Sequence, residues 1–321
     1  MKKNAILIFT QSMYLGGVER SLLGLLDAID YDRYDVDLFL MRHDGELMPY
    51  LNPQTNLLPE IAQYASLAVP MTLLVKSGQY GVLVGRLRGK CAAKRFDKHH
   101  PSDKPSITAL TYSHKYTVRS MPPISDKTYD LAISFLTPHH FVRERVRAKR
   151  YAAWIHTDYT ALSLDREAEL AMWRGYDVIC AISDQASRAF QSVFPELADK
   201  VQTVENTLPQ ELIRKQADAP QTEITTGGSI HLLSVGRFCE AKNFDNVPDI
   251  CRRLVKDGLN VKWFLIGYGG DEALIRQKIT EAGMQERVII LGKKDNPYPY
   301  MRVCDLYVQP SRYEGKAVTV R

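Results

Sequence analysis

Short apolar segments of strand length alternate with segments of helical periodicity along almost the whole chain. The first strand is predicted at Asn4–Thr10, and after a glycine turn Val18, Leu22 and Leu26 recur at the spacing of one helix face. Apolar strands joined through helices are typical of right-handed βαβ units, in which helices cover both faces of a parallel sheet. The chain is therefore predicted to have an α/β fold. The same alternation predicts further strands at Val36–Leu40, Asp130–Phe135, Tyr151–His156, Asp177–Ser183 and Val201–Glu205, and helices at Leu162–Arg174 and Asp184–Phe194.

The alternation stops at Leu208–Ser229 and then begins again. This stretch contains two prolines and the run Thr225–Ser229, a composition typical of linkers. We therefore predict two Rossmann-like domains, residues 1–208 and 230–321, joined by a linker at 209–229. Ligands of such sheets bind beyond the carboxyl ends of the strands, which predicts a site in the cleft between the domains. In the second domain strands are predicted at Ile230–Gly236, Val261–Gly267, Val288–Leu291 and Leu306–Val308, and helices at Phe244–Asp257, Asp271–Ala282 and Pro297–Arg302.

Composition is that of an ordinary globular protein. Apolar residues make up 45% and charged residues 25% of the chain, and its five cysteines form no C-x-x-C pair. Dispersed cysteines in odd number argue against a disulfide framework or a zinc site. The first apolar run is too short for a secretion signal, and no segment approaches the roughly 20 apolar residues of a membrane span. We expect a protein of the reducing cytoplasm.

Basic residues are concentrated in one region. Residues 70–150 hold sixteen Lys or Arg against five Asp or Glu, whereas the rest of the chain holds 26 basic residues against 32 acidic ones. Such a region predicts an anionic surface or substrate. Between Thr72 and Arg119 two interpretations remain open: an amphipathic helix lying on an anionic membrane at the inner face of the plasma membrane, or a core-facing helix whose exposed side is basic. Nucleic acid is not the expected partner, since the region lacks paired aromatic residues for stacking and any base-reading motif.

A glycine pair follows the first predicted strand. Gly16 and Gly17 open the helix, and two glycines let a sugar or phosphate approach the backbone at a helix N-terminus. The full G-x-G-x-x-G fingerprint of dinucleotide sites is absent, so the pair alone is more typical of an ordinary turn. His156 lies at the end of another strand, in Trp154–Asp158, and is a candidate site residue for that reason.

The second domain has polar or glycine-rich loops at three strand ends. Arg237 follows the first strand and Lys242 lies five positions later, a pair that suits the negative charge of a diphosphate leaving group. Two solvent-exposed loop residues that bind no ligand would give the same sequence pattern. The run Gly267–Gly270 follows the next strand, and Glu314 stands beside Gly315 after the last one. Together these loops predict a site for a polar small molecule at one edge of the sheet.

These motifs resemble those of the retaining glycosyltransferases of family 4 (group 1), which have the GT-B architecture of two facing Rossmann-like domains. The resemblance covers nearly the whole chain and is most specific in the second domain. It rests on the ordered segments Gly16–Arg20, Trp154–His156, Asn206, Val235–Arg237, Lys242–Asn243, Leu265–Gly269, Leu291–Gly292 and Ser311–Gly315. It implies an enzyme that moves a sugar from a nucleotide-diphosphate sugar, expected to be a UDP-sugar, to a hydroxyl of a glycan or lipid-linked acceptor in bacterial surface polysaccharide synthesis.

The resemblance also implies roles for single residues. Arg237 and Lys242 would bind the diphosphate, and His156 would contact the donor sugar or stabilise charge at the reaction centre. Glu314 would be the first acid of the family's Glu-x7-Glu motif; the second would stand at residue 322, so the chain is interpreted as C-terminally truncated. No metal or cofactor is implied, because cations and helix dipoles would replace a divalent ion. The implied substrate-binding residues are Gly16, Gly17, Asn206, Gly236, Gly267, Gly269, Gly292 and Gly315.

At two positions the sequence departs from the family's pattern: Lys316 and Ala317 stand where the family usually has an apolar residue followed by a small residue or proline.

Two other kinds of function remain open from the sequence. A GT-B epimerase acting on nucleotide-sugars, or a phosphorylase, would share the same motifs. A nucleotide-sugar-binding module without turnover would keep the same loops as well.

Overall fold

The protein consists of two compact units, residues 1–208 and 209–321. The computed structural model describes residues 3–221, 223–225 and 227–312. In this part of the chain the first unit contains a parallel sheet of seven strands and the second a parallel sheet of four. The α/β class predicted from the sequence is confirmed.

The first sheet has a point at which its strand order reverses. Its order is β3-β2-β1-β4-β5-β6-β7, so that β1 lies between β2 and β4. Such a switch point opens a crevice beyond the carboxyl ends of the two strands that flank it. The two-residue strand β3 was not predicted from the sequence. The strands are β1 (Asn4–Thr10), β2 (Tyr34–Leu40), β3 (Asn56–Leu57), β4 (Thr128–Ser134), β5 (Arg147–Ile155), β6 (Val178–Ala181) and β7 (Val201–Thr203).

Helices cover both faces of this sheet. All residues of β1 from Ile6 to Phe9 are buried, as expected for a strand without a solvent face. Two of the helices begin at a side-chain cap: Asp165 accepts a hydrogen bond from the N–H of Ala168, and Ser183 accepts one from that of Ala186. The helices are α1 (Gly17–Ala28), α2 (Ala62–Ala65), α3 (Met71–Lys76), α4 (Tyr80–His99), α5 (Thr108–Thr117), α6 (His139–Arg145), α7 (Arg166–Trp173) and α8 (Asp184–Val193).

The basic region contains a closely packed helix pair. Helix α4 packs against α5 through glycines: a Cβ atom added at Gly89 would lie 2.6 Å from the backbone nitrogen of Ser113, and one added at Gly85 would lie 2.8 Å from the Cα of Thr117. The buried side of α4 comprises Val82, Gly85, Gly89 and Ala93. One side of α4 is therefore core-facing, and most of its basic residues are exposed, whereas Arg86 is partly buried and donates a hydrogen bond to the carbonyl of Val69 at 2.6 Å.

The second sheet also reverses its strand order, at β8. Its order is β10-β9-β8-β11, so the loops that follow β8 and β11 meet at the switch point. Helix α9 lies in the stretch predicted as a linker, and the side chain of Asn296 donates a hydrogen bond to the carbonyl of Gln216 on α9 at 2.7 Å. The elements are α9 (Gln210–Ala217), β8 (Ile230–Val235), α10 (Val247–Lys256), β9 (Val261–Ile266), α11 (Glu272–Glu281), β10 (Val288–Gly292), α12 (Tyr298–Val303) and β11 (Leu306–Tyr307).

Candidate functional site

Backbone hydrogen bonds join the loops at the carboxyl edge of the second sheet. The N–H of Gly236, after β8, donates to the carbonyl of Ile266 at 3.0 Å, and the N–H of Gly267, after β9, donates to the carbonyl of Gly292 at 2.9 Å. One step further out, the N–H of Phe238 donates to the carbonyl of Tyr268 at 2.8 Å. The loops that follow β8, β9 and β10 thus form one connected rim.

Glycine is required at two positions of this rim. A Cβ atom at Gly267 would lie 1.9 Å from the carbonyl oxygen of Gly236, and one at Gly269 would lie 2.2 Å from that of Phe238. Their φ angles, 156° and 154°, also lie outside the range that side-chain-bearing residues favour. The sequence prediction placed both glycines at a ligand site, and the structure shows that close backbone packing alone requires them.

We expect Gly267→Ala to destabilise the second unit by about 3 kcal/mol, because the new methyl group meets a backbone oxygen that cannot rotate away. Gly270→Ala is the matched control, since a Cβ atom there has no neighbour within 4 Å. Its effect should stay within about 0.5 kcal/mol. Urea denaturation of the two variants measures both values, and equal stability of both would contradict the packing described above.

The two predicted cations lie on the loop after β8. Arg237 is exposed, and no hydrogen bond or ion pair of its guanidinium is found among the described residues. Lys242 is half-buried and its side chain lies over Gly236: a Cβ atom at Gly236 would be 3.5 Å from the Lys242 Cδ. Both cations therefore lie at the strand end where the sheet's switch point occurs, as the sequence predicted.

Side-chain contacts tie this loop to the segment after β11. Asn243 has a left-handed backbone, with a φ of 60°, and its side chain donates to the carbonyl of Pro310 at 2.8 Å. The guanidinium of Arg312 binds Asp245 at 2.7 Å and holds the pKa of that carboxyl below its usual value. The predicted residues Glu314 and Gly315 lie outside the described residues. These contacts hold the described end of the segment after β11, up to Arg312, against the loop that carries Arg237 and Lys242.

The predicted glycine pair lies at the start of α1 in the first unit. Gly16 is the N-cap and Gly17 the first helical residue. A Cβ atom at Gly16 would lie 2.1 Å from the Glu19 Oε2, so this carboxylate covers the glycine. A carboxylate at this helix end opposes a phosphate and suits hydroxyl groups better. Asn206 is buried just beyond β7.

His156 follows β5 and is fixed by one hydrogen bond. Its Nε2 lies 2.8 Å from the carbonyl oxygen of Phe135. A carbonyl only accepts, so Nε2 carries the proton and Nδ1 is the acceptor. Burial lowers the pKa of His156 to about 4, so that the ring is neutral at physiological pH. The ring can accept a hydrogen bond from a sugar hydroxyl, but it cannot neutralise the charge of a departing diphosphate.

Two further histidines near His156 were not predicted. His139 and His140 begin α6, just beyond the carboxyl end of β4, and both are buried. The rule that singled out His156, a polar residue following a strand end, applies equally to this pair and would have found it. Among the described residues no group of three or more His, Cys, Asp or Glu is arranged to hold a metal ion.

Comparison with known proteins agrees with these observations. Residues 216–320 match the family model described as "Glycosyl transferases group 1". The N-acetyl-alpha-D-glucosaminyl L-malate synthase of Bacillus anthracis is 24% identical over an alignment of 288 residues, which covers 78% of this chain and 74% of that protein. A Campylobacter jejuni N-acetylgalactosaminyltransferase that acts on a diphospho-undecaprenol substrate is 33% identical over 84 residues, 26% of this chain and 22% of that protein. Three of the curated relatives are matched over only 36%, 22% and 38% of their own length.

Solved structures share the fold. HepE of Anabaena in complex with UDP and glucose superposes with a TM-score of 0.60 at 17% identity, over 99% of this chain and 77% of that one. TarM of S. aureus superposes with a TM-score of 0.59 at 10% identity, over 99% and 82%. The fold is that of GT-B glycosyltransferases, and a further neighbour, WaaG, is described as a glycosyltransferase involved in lipopolysaccharide biosynthesis. The family match lies within the second unit, and the likeness to the solved structures shows the fold.

Proposed function

We propose that the protein is a retaining glycosyltransferase of family 4 that transfers a sugar from a UDP-sugar to a glycan or lipid-linked acceptor in bacterial surface polysaccharide synthesis. The observation that carries the proposal is the position of Arg237 and Lys242 on one loop at the switch point of the second sheet. UDP is bound in the HepE structures, and the Campylobacter relative acts on a diphospho-undecaprenol lipid. Both facts support this choice of donor and acceptor.

The mechanism follows from the charge that develops as the donor breaks. The bond to the diphosphate lengthens, negative charge grows on its oxygens, and the sugar carbon becomes oxocarbenium-like. The acceptor oxygen then bonds to that carbon on the face from which the diphosphate departs, and its proton passes to a departing phosphate oxygen. Arg237 offers a planar fork and Lys242 a point charge to the departing diphosphate. Neutral His156 accepts a hydrogen bond from a sugar hydroxyl through Nδ1 and thereby orients the ring. Glu314 is proposed to accept a hydrogen bond from another hydroxyl of the sugar.

A calorimetric screen of nucleotides tests the donor site. UDP should bind about tenfold or more tightly than UMP, because each charge-assisted hydrogen bond to the second phosphate contributes about 1.5–3 kcal/mol. ADP and GDP serve as controls for the base. Equal affinity for UDP and UMP, or no binding of any of the four nucleotides, would refute a diphosphate site at this loop.

The α3–α4 surface supports the proposal of a membrane-linked acceptor. On these two helices apolar side chains that are about half exposed lie beside cations. An exposed apolar stripe with a basic rim is typical of helices that lie on anionic bilayers. The exposed apolar residues are Leu73, Val75, Tyr80, Val84 and Leu87. The exposed cations are Lys76, Arg88, Lys90, Lys94, Arg95 and Lys98. Within the described ranges, no helix has the length and apolar character needed to cross a membrane.

Vesicle sedimentation tests this surface. We expect binding to phosphatidylglycerol-containing vesicles that weakens with added salt, and little binding to phosphatidylcholine alone. The double substitution Val84→Ser and Leu87→Ser should weaken binding by about tenfold or more through lost apolar contact. Leu259→Ser with Leu274→Ser is the matched control, since both leucines are similarly exposed in the second unit. Equal binding to both vesicle types would show that the α3–α4 surface is not a binding surface for anionic membranes.

A further inference from the structure

A groove of about 560 Å³ lies between α4 and α5 in the first unit. Thr111 and His114 of α5 line a cavity beside His156, whereas Tyr112 and Tyr116 of the same helix line the groove. The groove is therefore separated from His156 by α5. Its other lining residues are Cys91, Ala92, Arg95, Phe96, His99 and His100.

Four aromatic side chains of the groove pack against one another. The rings of Phe96 and His100 are stacked with their centroids 4.2 Å apart, and those of Tyr112 and Tyr116 are stacked at 6.3 Å. The rings of Phe96 and Tyr112 meet edge to face at 6.4 Å and so join the two pairs. The Nδ1 of His100 donates to the Phe96 carbonyl at 3.1 Å, which fixes the histidine ring. Because His100 and Tyr116 are exposed, these contacts give a fixed aromatic surface that is open to solvent.

The groove also offers hydrogen-bond donors that the protein itself does not use. Arg95 is exposed, and no hydrogen bond or ion pair of its guanidinium is found among the described residues. The Tyr116 hydroxyl has no hydrogen-bond partner in the described part of the chain. Two carboxylates beside the groove are already bound, since Asp97 accepts from a threonine hydroxyl at 2.9 Å and Asp165 accepts from the Tyr112 hydroxyl. The open guanidinium therefore suits an anionic group of a ligand.

The ring spacing determines how a ligand can lie in the groove. A ring inserted between two others needs them about 7 Å apart, which is twice the contact distance of about 3.5 Å. The ring pairs here are at most 6.4 Å apart, so a ligand must lie over their exposed faces. The C–H face of a pyranose ring packs on aromatic side chains in this way. One benzene ring fits a cavity of about 150 Å³, so this groove has room for two or three six-membered rings.

We propose that this groove binds an acidic oligosaccharide, with its sugar rings on the aromatic surface and a carboxylate on Arg95. The groove lies in the first unit, whereas the loop that carries Arg237 and Lys242 lies in the second. The binding itself does not depend on the proposed function, but the identification of the oligosaccharide as part of the acceptor glycan does. On that function, the groove selects acceptors by acidic sugars that precede the reacting end of the chain.

Cysteine footprinting tests the proposal without any turnover. Cys91 is exposed in the groove, and the partly buried Cys239 lies between Arg237 and Lys242 in the sequence. Labelling with iodoacetamide is measured by peptide mass spectrometry with trigalacturonate, a hyaluronan tetrasaccharide, maltotriose or UDP present. At saturation the two acidic oligosaccharides should slow the labelling of Cys91 about tenfold or more and leave that of Cys239 unchanged. Neutral maltotriose should bind about tenfold more weakly than trigalacturonate, because it lacks the carboxylate.

Two results would overturn the proposal. One is unchanged labelling of Cys91 with both acidic oligosaccharides. The other is protection of Cys91 by UDP or by phosphatidylglycerol vesicles in place of the oligosaccharides, which would assign the groove to a nucleotide or to the membrane. Protection of Cys239 by UDP reports on the diphosphate site alone, so a failure of this proposal and a failure of the proposed function are distinguishable.

Substitutions in the groove give a second readout. Arg95→Gln should weaken the binding of trigalacturonate about tenfold or more and leave that of maltotriose unchanged, because only the acidic chain binds the guanidinium. Tyr116→Ser should weaken both sugars about tenfold, because both lie on the aromatic surface. Arg188→Gln and Tyr50→Ala change exposed residues elsewhere in the first unit and should bind both sugars like the wild type. Wild-type affinity for trigalacturonate in both groove variants would refute the site.

Discussion

Replacing Arg237 or Lys242 by alanine is expected to lower the turnover number for the nucleotide-sugar by about 10²–10³-fold each. Both cations lie beside Gly236 at the strand end where the second sheet reverses its order. The diphosphate of the nucleotide-sugar is already anionic, and further negative charge develops as it leaves, so kcat should fall more than donor affinity. Steady-state kinetics with the preferred donor measures this difference.

Two exposed cations of the same unit provide the controls. Arg253→Ala and Lys256→Ala remove charges from the last turn of α10 and should leave kcat unchanged. Circular dichroism of all four variants checks folding. If Arg237→Ala and Lys242→Ala retained wild-type kinetics, the assignment of these residues to the diphosphate would be wrong.

The free energy of unfolding of the first unit should decrease strongly as the pH is lowered. Burial lowers the pKa of His114 and His139 to about 3 and that of His156 to about 4. In the unfolded chain these groups titrate near 6.5. Below that pH the unfolded chain takes up protons that the folded unit does not bind, so stability is complete above about pH 7 and is lost as the pH falls. Together the three histidines should lower the free energy of unfolding by up to about 4 kcal/mol per pH unit as the pH falls from 6 to 5.

Urea denaturation between pH 8 and pH 5, followed by tryptophan fluorescence, measures this slope. Burial raises the pKa of Glu169, which acts in the opposite sense and reduces the slope in part. His114→Phe should reduce the slope by about 1.4 kcal/mol per pH unit, whereas the exposed His99→Gln should not change it. A free energy of unfolding that stays constant between pH 6 and 5 would contradict neutral buried histidines.

Local sequence pattern predicted most of the elements but not their bounds. Continuous apolar runs such as Asn4–Thr10 coincide with strands because strands of a parallel sheet are buried on both faces. Helix α9 lies in a stretch that was predicted to be a linker, because Pro209 was taken to interrupt regular structure. Proline is tolerated at the start of a helix, and Pro209 is the N-cap of α9. The helix predicted from Phe244 begins there as a 3₁₀ turn, Phe244–Asn246, and becomes α-helical at Val247, a change that a pattern of apolar residues does not reveal.

The site was predictable where the chain places a polar residue directly after a strand. Arg237 and His156 were found by that rule, and Lys242 was found because it lies five positions after Arg237 on the same loop. The rule could not supply the hydrogen bond from His156 to the Phe135 carbonyl, which fixes the ring's tautomer and joins residues 21 positions apart.

The most direct test is transfer from radiolabelled UDP-sugars to extracted bacterial membrane lipids by the purified protein, with and without EDTA. We predict release of UDP, label in the lipid or glycan fraction with retained anomeric configuration, and the same rate in EDTA. Loss of activity in EDTA would refute the metal-independent role of Arg237 and Lys242. Binding of UDP-sugars without UDP release, or epimerisation without an acceptor, would contradict the glycosyltransferase assignment itself.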